Sequence, residues 1–210
     1  GSFSDNKKAV LQRVQSGTAT FDTIILPRDV NEDFVVQSEV IDTGIEGANA
    51  FAAKIENTLT GDVATYYYYH TNDFENKTTV NVGHFKTDAS TVLIETDASG
   101  KIVSTFLADA TFLEDTTKED GILFKSNSST GAVSYEKKGQ VLSIYSSVLD
   151  GESVKDVTVY SPETTTVKLN TEVLECKTSG SYVYFGEQPI VEGKEEETEK
   201  EEEDIQKPTH

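Results

Sequence analysis

The chain has 210 residues and a formal charge of −19, from 18 Lys and Arg against 37 Asp and Glu. A surface so poor in cations, with only Arg13 and Arg28 as arginines, repels phosphate and sulfate polymers. Nucleic acid and heavily sulfated glycans are therefore not expected as partners. Cys176 is the only cysteine, which rules out an internal disulfide and a thiolate zinc cage.

No apolar run reaches the length needed to cross a bilayer, so no membrane insertion is expected. No charged-then-apolar leader opens the chain, and Gly1-Ser2 without an initiator Met reads as a remnant of cloning. The chain is thus expected to be a piece of something longer.

In chain order, Asp5–Gln15 reads either as a short helix with Asp5 as N-cap or as a first strand. Thr20–Leu26 reads as a strand that stops at Pro27, and Asp33–Ile41 as one that stops at Asp42-Thr43-Gly44. Period-two alternation follows over Phe51–Glu56, Asp62–His70 and Thr78–Phe85. Thr91–Thr96 and Lys101–Leu107 flank Asp97-Ala98-Ser99-Gly100, a strong hairpin signal. The tetrapeptide Thr-Asp-Ala-Ser, at Thr87–Ser90 and Thr96–Ser99, is best read as two strand-flanking turns. Further strands are predicted over Gly121–Lys125, Ala132–Lys137, Gln140–Tyr145, Asp156–Tyr160, Thr164–Leu169 and Tyr182–Phe185.

Glu172–Lys177 also alternates, with Val173, Glu175 and Lys177 on one face and Leu174 and Cys176 on the other. Cys176 is expected to be a small buried hydrophobe. Short strands punctuated by Gly, Asn, Asp and Ser turns predict an all-β fold, a large antiparallel β-sandwich. From Gly193 the composition changes to GKEEETEKEEED, which cannot bury a core. The expected organisation is a β-sandwich domain over residues 1–191 and a disordered acidic linker or tail over 192–210.

The densest candidate site is Asp62–Asp73, DVATYYYYHTND. On a strand, Tyr66, Tyr68 and His70 point to one side and Tyr67 and Tyr69 to the other. A row of exposed tyrosines offers flat apolar faces with polar edges, suited to sugar rings; the same rows equally suit a sandwich core. A Tyr–His pair could abstract a proton beside a uronate carboxylate, but arginine to neutralise that carboxylate is scarce. No catalytic residue is assigned. His84 after Gly83 reads as an ordinary residue, and His70, His84 and His210 lack ligand spacing. Asp115, Glu119 and Asp120 read as an acidic turn without the spacing of an EF-hand loop, and no metal or cofactor is expected. Asn76 and Asn127 begin N-x-S/T matches.

Thr20–Pro27 (TFDTIILP) and His84–Leu113 (HFKTDASTVLIETDASGKIVSTFLADATFL) together resemble the C-terminal β-sheet region of heparinase II/III-type polysaccharide lyases. That family follows a T-x-x-x-P strand with D-G-K-V and then L-x-D-G-x-x-L. Here these positions are Ser99-Gly100-Lys101-Ile102 and Leu107–Leu113, with Ser99 and Ala110 departing from the pattern. The resemblance implies a secreted bacterial enzyme that cleaves uronate-containing polysaccharide by β-elimination. The family's Tyr and His acid/base residues lie mainly upstream, and none is matched here. The expectation is a non-catalytic, extracellular or cell-surface domain supporting a catalytic module of the same parent chain. The alternative is an autonomous carbohydrate-binding or adhesive module using Tyr66–His70.

Overall fold

The computed structural model describes residues 32–73, 76–129, 131–146, 157–174 and 177–185. Asp5–Gln15, Thr20–Leu26, Cys176 and the boundary and tail expected at 191–210 lie outside the described residues. Among the described residues every regular element is a strand. They are β1 (Phe34–Val40), β2 (Asn49–Asn57), β3 (Val63–His70), β4 (Val80–Val82), β5 (Phe85–Thr87), β6 (Thr91–Asp97), β7 (Ile102–Ala108) and β8 (Phe112–Asp115). The second half holds β9 (Ile122–Ser126), β10 (Ala132–Lys138), β11 (Val141–Ser146), β12 (Val157–Tyr160), β13 (Thr166–Leu169), β14 (Glu172–Leu174), β15 (Lys177–Ser179) and β16 (Tyr182–Phe185).

Two sheets form, nine-stranded in the order β1-β2-β3-β6-β7-β10-β11-β13-β14 and seven-stranded in the order β15-β16-β12-β9-β8-β5-β4. Pairing is antiparallel except between β11 and β13. That parallel pair arises because the chain leaves β11 for β12 in the other sheet before returning as β13. The fold is the all-β, two-sheet class expected from the alternation.

The hairpin at Asp97 shows how local chemistry sets an element. Gly100 takes φ 79°, and the Asp97 carboxylate accepts hydrogen bonds from the Ser99 and Lys101 amides at 2.9 and 3.1 Å. A glycine in left-handed backbone and an aspartate bonding its own turn are the usual devices of such loops. Both Thr-Asp-Ala-Ser copies flank strands, one between β5 and β6 and the other after β6.

The predicted strand Thr78–Phe85 is instead the hairpin β4–β5, because Gly83 at φ 64° reverses the chain after Val82. The period-two apolar pattern of Val80 and Val82 shifts by one residue at Phe85, as the reversal at Gly83 requires. Strand β8, which follows β7 after three residues, has no counterpart among the predicted strands. The Asp88 carboxylate holds its start, accepting from the Thr111 and Phe112 amides at 2.7 and 3.2 Å, a partner 23 residues away from Thr111.

Side chains from both sheets make one core. In the nine-stranded sheet the inward rows are Ala50–Tyr69–Val92–Leu107–Val133 and Ala52–Tyr67–Ile94–Thr105–Tyr135–Ile144–Leu169. The facing sheet contributes Val183–Val159–Phe124–Leu113–Thr87–Val80. Rings cross between the sheets, Phe124 against Tyr135 at 6.3 Å and Tyr67 against Phe85 at 5.1 Å. Each fully buried aliphatic or aromatic side chain contributes roughly 1.5–3 kcal/mol, so the alternation that wrote these rows also stabilises the sandwich.

Candidate functional site

Directly paired residues of neighbouring strands share a sheet face, so register turns β3 into two surfaces with different fates. Tyr67 and Tyr69 face the core. Tyr69 is 1% exposed between Ala50 and Val92. The Tyr67 ring packs edge-on against His84 at 5.2 Å and against Phe85 at 5.1 Å. Burial, ahead of nearby carboxylates, raises both phenols above their usual range. These two tyrosines therefore leave the candidate sugar surface, which narrows the expected set to Tyr66, Tyr68 and His70. His84, read from sequence as an ordinary residue, joins this inter-sheet aromatic cluster.

Tyr66, Tyr68 and His70 lie on the outer face, each half-buried. The Tyr66 hydroxyl donates to Glu95 at 3.2 Å, and the Ser104 hydroxyl donates to the other oxygen of Glu95 at 2.9 Å. Burial first, and then the Glu95 charge, raise the Tyr66 phenol. The Tyr68 ring lies 5.1 Å from Phe51 at a tilt of 34°. His70 Nδ1 bonds the Thr91 hydroxyl at 2.9 Å and Nε2 the Asn72 side chain at 3.2 Å.

The register extends Tyr68 into a feature that no linear reading shows. Val40 pairs with Phe51, Phe51 with Tyr68, Tyr68 with Leu93, Leu93 with Phe106, Phe106 with Ser134 and Ser134 with Tyr145. All seven residues thus lie in one row on the outer face, crossing β1, β2, β3, β6, β7, β10 and β11. Six strand spacings give it a length of about 29 Å. Val40, Leu93 and Tyr145 are 86%, 40% and 46% exposed, while Phe51, Tyr68 and Phe106 are half-buried.

Polar rows flank this stripe. On one side run Tyr66, Glu95, Ser104, Glu136, Ser143 and Lys168; on the other, Asn49, His70 and Thr91 are followed by Ala108 and Ala132. A flat apolar stripe with hydrogen-bonding edges is chemically matched to an extended amphipathic polymer.

The acidic turn after β8 is spent on its own loop. Asp115 is buried; it accepts from the Thr117 amide and hydroxyl at 3.1 and 2.6 Å and pairs with Lys118 at 2.9 Å. Among the described residues no group of three or more His, Cys, Asp and Glu is placed to hold a metal ion.

Compared with family models and with curated proteins, the chain finds no match. The resemblance to lyases thus stands on its own sequence motifs alone.

Proposed function

We propose that this is a non-catalytic domain that binds polysaccharide on the outer face of its nine-stranded sheet. The observation that carries the reading is the row from Val40 to Tyr145, an apolar and aromatic stripe across seven strands with polar rows on both sides. The C–H faces of sugar rings pack on Phe51, Tyr68, Leu93 and Tyr145, while sugar hydroxyls reach Glu95, Ser104 and Glu136. Glu95 and Glu136 beside the stripe, within a chain of charge −19, favour a neutral polysaccharide over a uronate-rich one. Such a domain belongs at an extracellular or cell-surface location, where polysaccharides are met.

Affinity electrophoresis through gels containing a neutral glucan, a xylan or polygalacturonate tests this. Retardation by a neutral polysaccharide, weakened about five- to tenfold by Tyr145→Ala, is expected from loss of one stacking side chain. No retardation by any of the three overturns autonomous binding. That result favours the parent suggested by the lyase resemblance, in which a catalytic module of the same chain covers the stripe.

A further inference from the structure

Along the outer-face stripe the aromatic rings follow a simple spacing. Tyr68 on β3, Phe106 on β7 and Tyr145 on β11 belong to one row, and the sheet order places two strand spacings between each and the next. With strands about 4.8 Å apart, these rings recur roughly every 9.6 Å. The positions between them carry no ring, being Leu93 on β6 and Ser134 on β10. Leu93 and Tyr145 are exposed, and Tyr68, Phe106 and Ser134 are half-buried. Their chain neighbours Tyr69, Thr105, Leu107 and Val133 are buried on the core side, so the row itself faces outward.

A polymer lying across the strands crosses one strand per spacing, so its chemical repeat must match the ring repeat. In an extended β-1,4-linked chain of equatorially substituted sugars, each unit advances by close to one strand spacing. Successive sugars are turned about the chain axis by close to half a turn. The same sugar face therefore returns every second unit, at the interval that separates Tyr68, Phe106 and Tyr145. Each of the three rings then meets the same C–H face, with the intervening sugars over Leu93 and Ser134. An α-1,4-linked chain curls into a helix and cannot keep three successive contacts on a straight row.

Sheet twist narrows the fit. Neighbouring strands rotate by roughly 20–25° about the axis along which the row runs. The row stays straight while the direction it faces turns by about 40–50° from one ring to the next. A single chain in solution follows by twisting about its glycosidic bonds, whereas the planar face of a crystalline polysaccharide meets only one ring. Glu95, two residues from Leu93 on the same face of β6, adds a negative charge beside the row and disfavours uronate.

Resting on the polysaccharide-binding reading above, we propose that the stripe takes a single soluble, neutral β-1,4-linked chain, a glucan or a xylan. Alternate sugars stack on Tyr68, Phe106 and Tyr145. At one sugar per strand, the five strands β3, β6, β7, β10 and β11 hold five sugars.

Titration calorimetry with the trioses and pentaoses of the cello-, xylo- and malto- series tests the assignment, together with a pull-down on crystalline cellulose. A triose reaches two rings and a pentaose three. A β-1,4 pentaose is therefore expected to bind about five- to tenfold more tightly than its triose. Whichever of cellopentaose and xylopentaose binds more tightly identifies the sugar. Maltopentaose is expected to bind about tenfold more weakly, and crystalline cellulose to retain nothing. Tyr145→Ala should bring the pentaose to the affinity of the triose, with a thermal melt to check folding; the length series on the unaltered chain needs no variant. Suppose a polysaccharide retards the chain in gels, yet no β-1,4 pentaose binds more tightly than its triose or than maltopentaose, or crystalline cellulose retains the chain. The assignment is then overturned while polysaccharide binding stands. Absence of binding to every saccharide, in gels as in calorimetry, removes the binding reading itself and this assignment with it.

Discussion

At Gly121 an added Cβ would stand 2.0 Å from the Asp115 carbonyl oxygen and 3.3 Å from that of Lys118. Both obstacles are backbone, and the Asp115 amide already donates to the Gly121 carbonyl at 2.7 Å, so the loop has no flexible side chain to move aside. Gly121→Ala is therefore expected to cost about 2–3 kcal/mol, read as a lower urea midpoint with an unchanged slope. Gly83 is constrained twice over, by φ 64° and by the Tyr67 ring 2.8 Å from its absent Cβ. Tyr135 carries a different kind of constraint. Burial raises its phenol from 10.0 to about 12, and the neighbouring Thr105 hydroxyl acts the other way. The folded-state value lies above the unfolded one, so its stabilising contribution is whole below pH 10 and is lost as pH rises toward 12. Alkaline urea titrations should show about 1.4 kcal/mol per pH unit lost across that window from this residue. Tyr135→Phe should flatten the curve by that amount, and an unchanged slope would contradict the buried phenol.

On strand β3 the same residue type serves both faces. Tyr69→Ala leaves a large void in the core and is expected to cost about 3–5 kcal/mol. Tyr68→Ala removes a half-buried ring from the outer face and is expected to cost about 1 kcal/mol. Equilibrium denaturation of the two variants compares them directly, and a reversed order would invert the assignment of faces. Most strands were legible because alternation and turn residues are local signals: β6 and β7 emerged around Asp97–Gly100 much as read, and β10, β11 and β16 likewise. The β4–β5 hairpin was misread because its turn is marked only by Gly83 and by a one-residue slip in the apolar pattern between Val82 and Phe85, a weak local signal. Strand β8 was missed because the Asp88 side chain that anchors it comes from a distant part of the chain. Within the candidate site, alternation separated Tyr66, Tyr68 and His70 from Tyr67 and Tyr69. It could not say which set was inward, because both are equally apolar.

For the whole molecule, the proposed polysaccharide binding and the charge of −19 together lead to a prediction about ligand charge. Neutral polysaccharide should be retained more strongly than polygalacturonate, and added salt should narrow the gap by screening repulsion between like-charged surfaces. A gap that widens with salt would exclude this electrostatic origin. The sequence by itself determined the all-β class and most strands, because composition, period and turn chemistry act over a few residues. Only the tertiary structure decided which tyrosines are buried and that Val40 through Tyr145 form one stripe. Those juxtapositions depend on strand register and on the packing of two sheets, which bring together residues far apart along the chain.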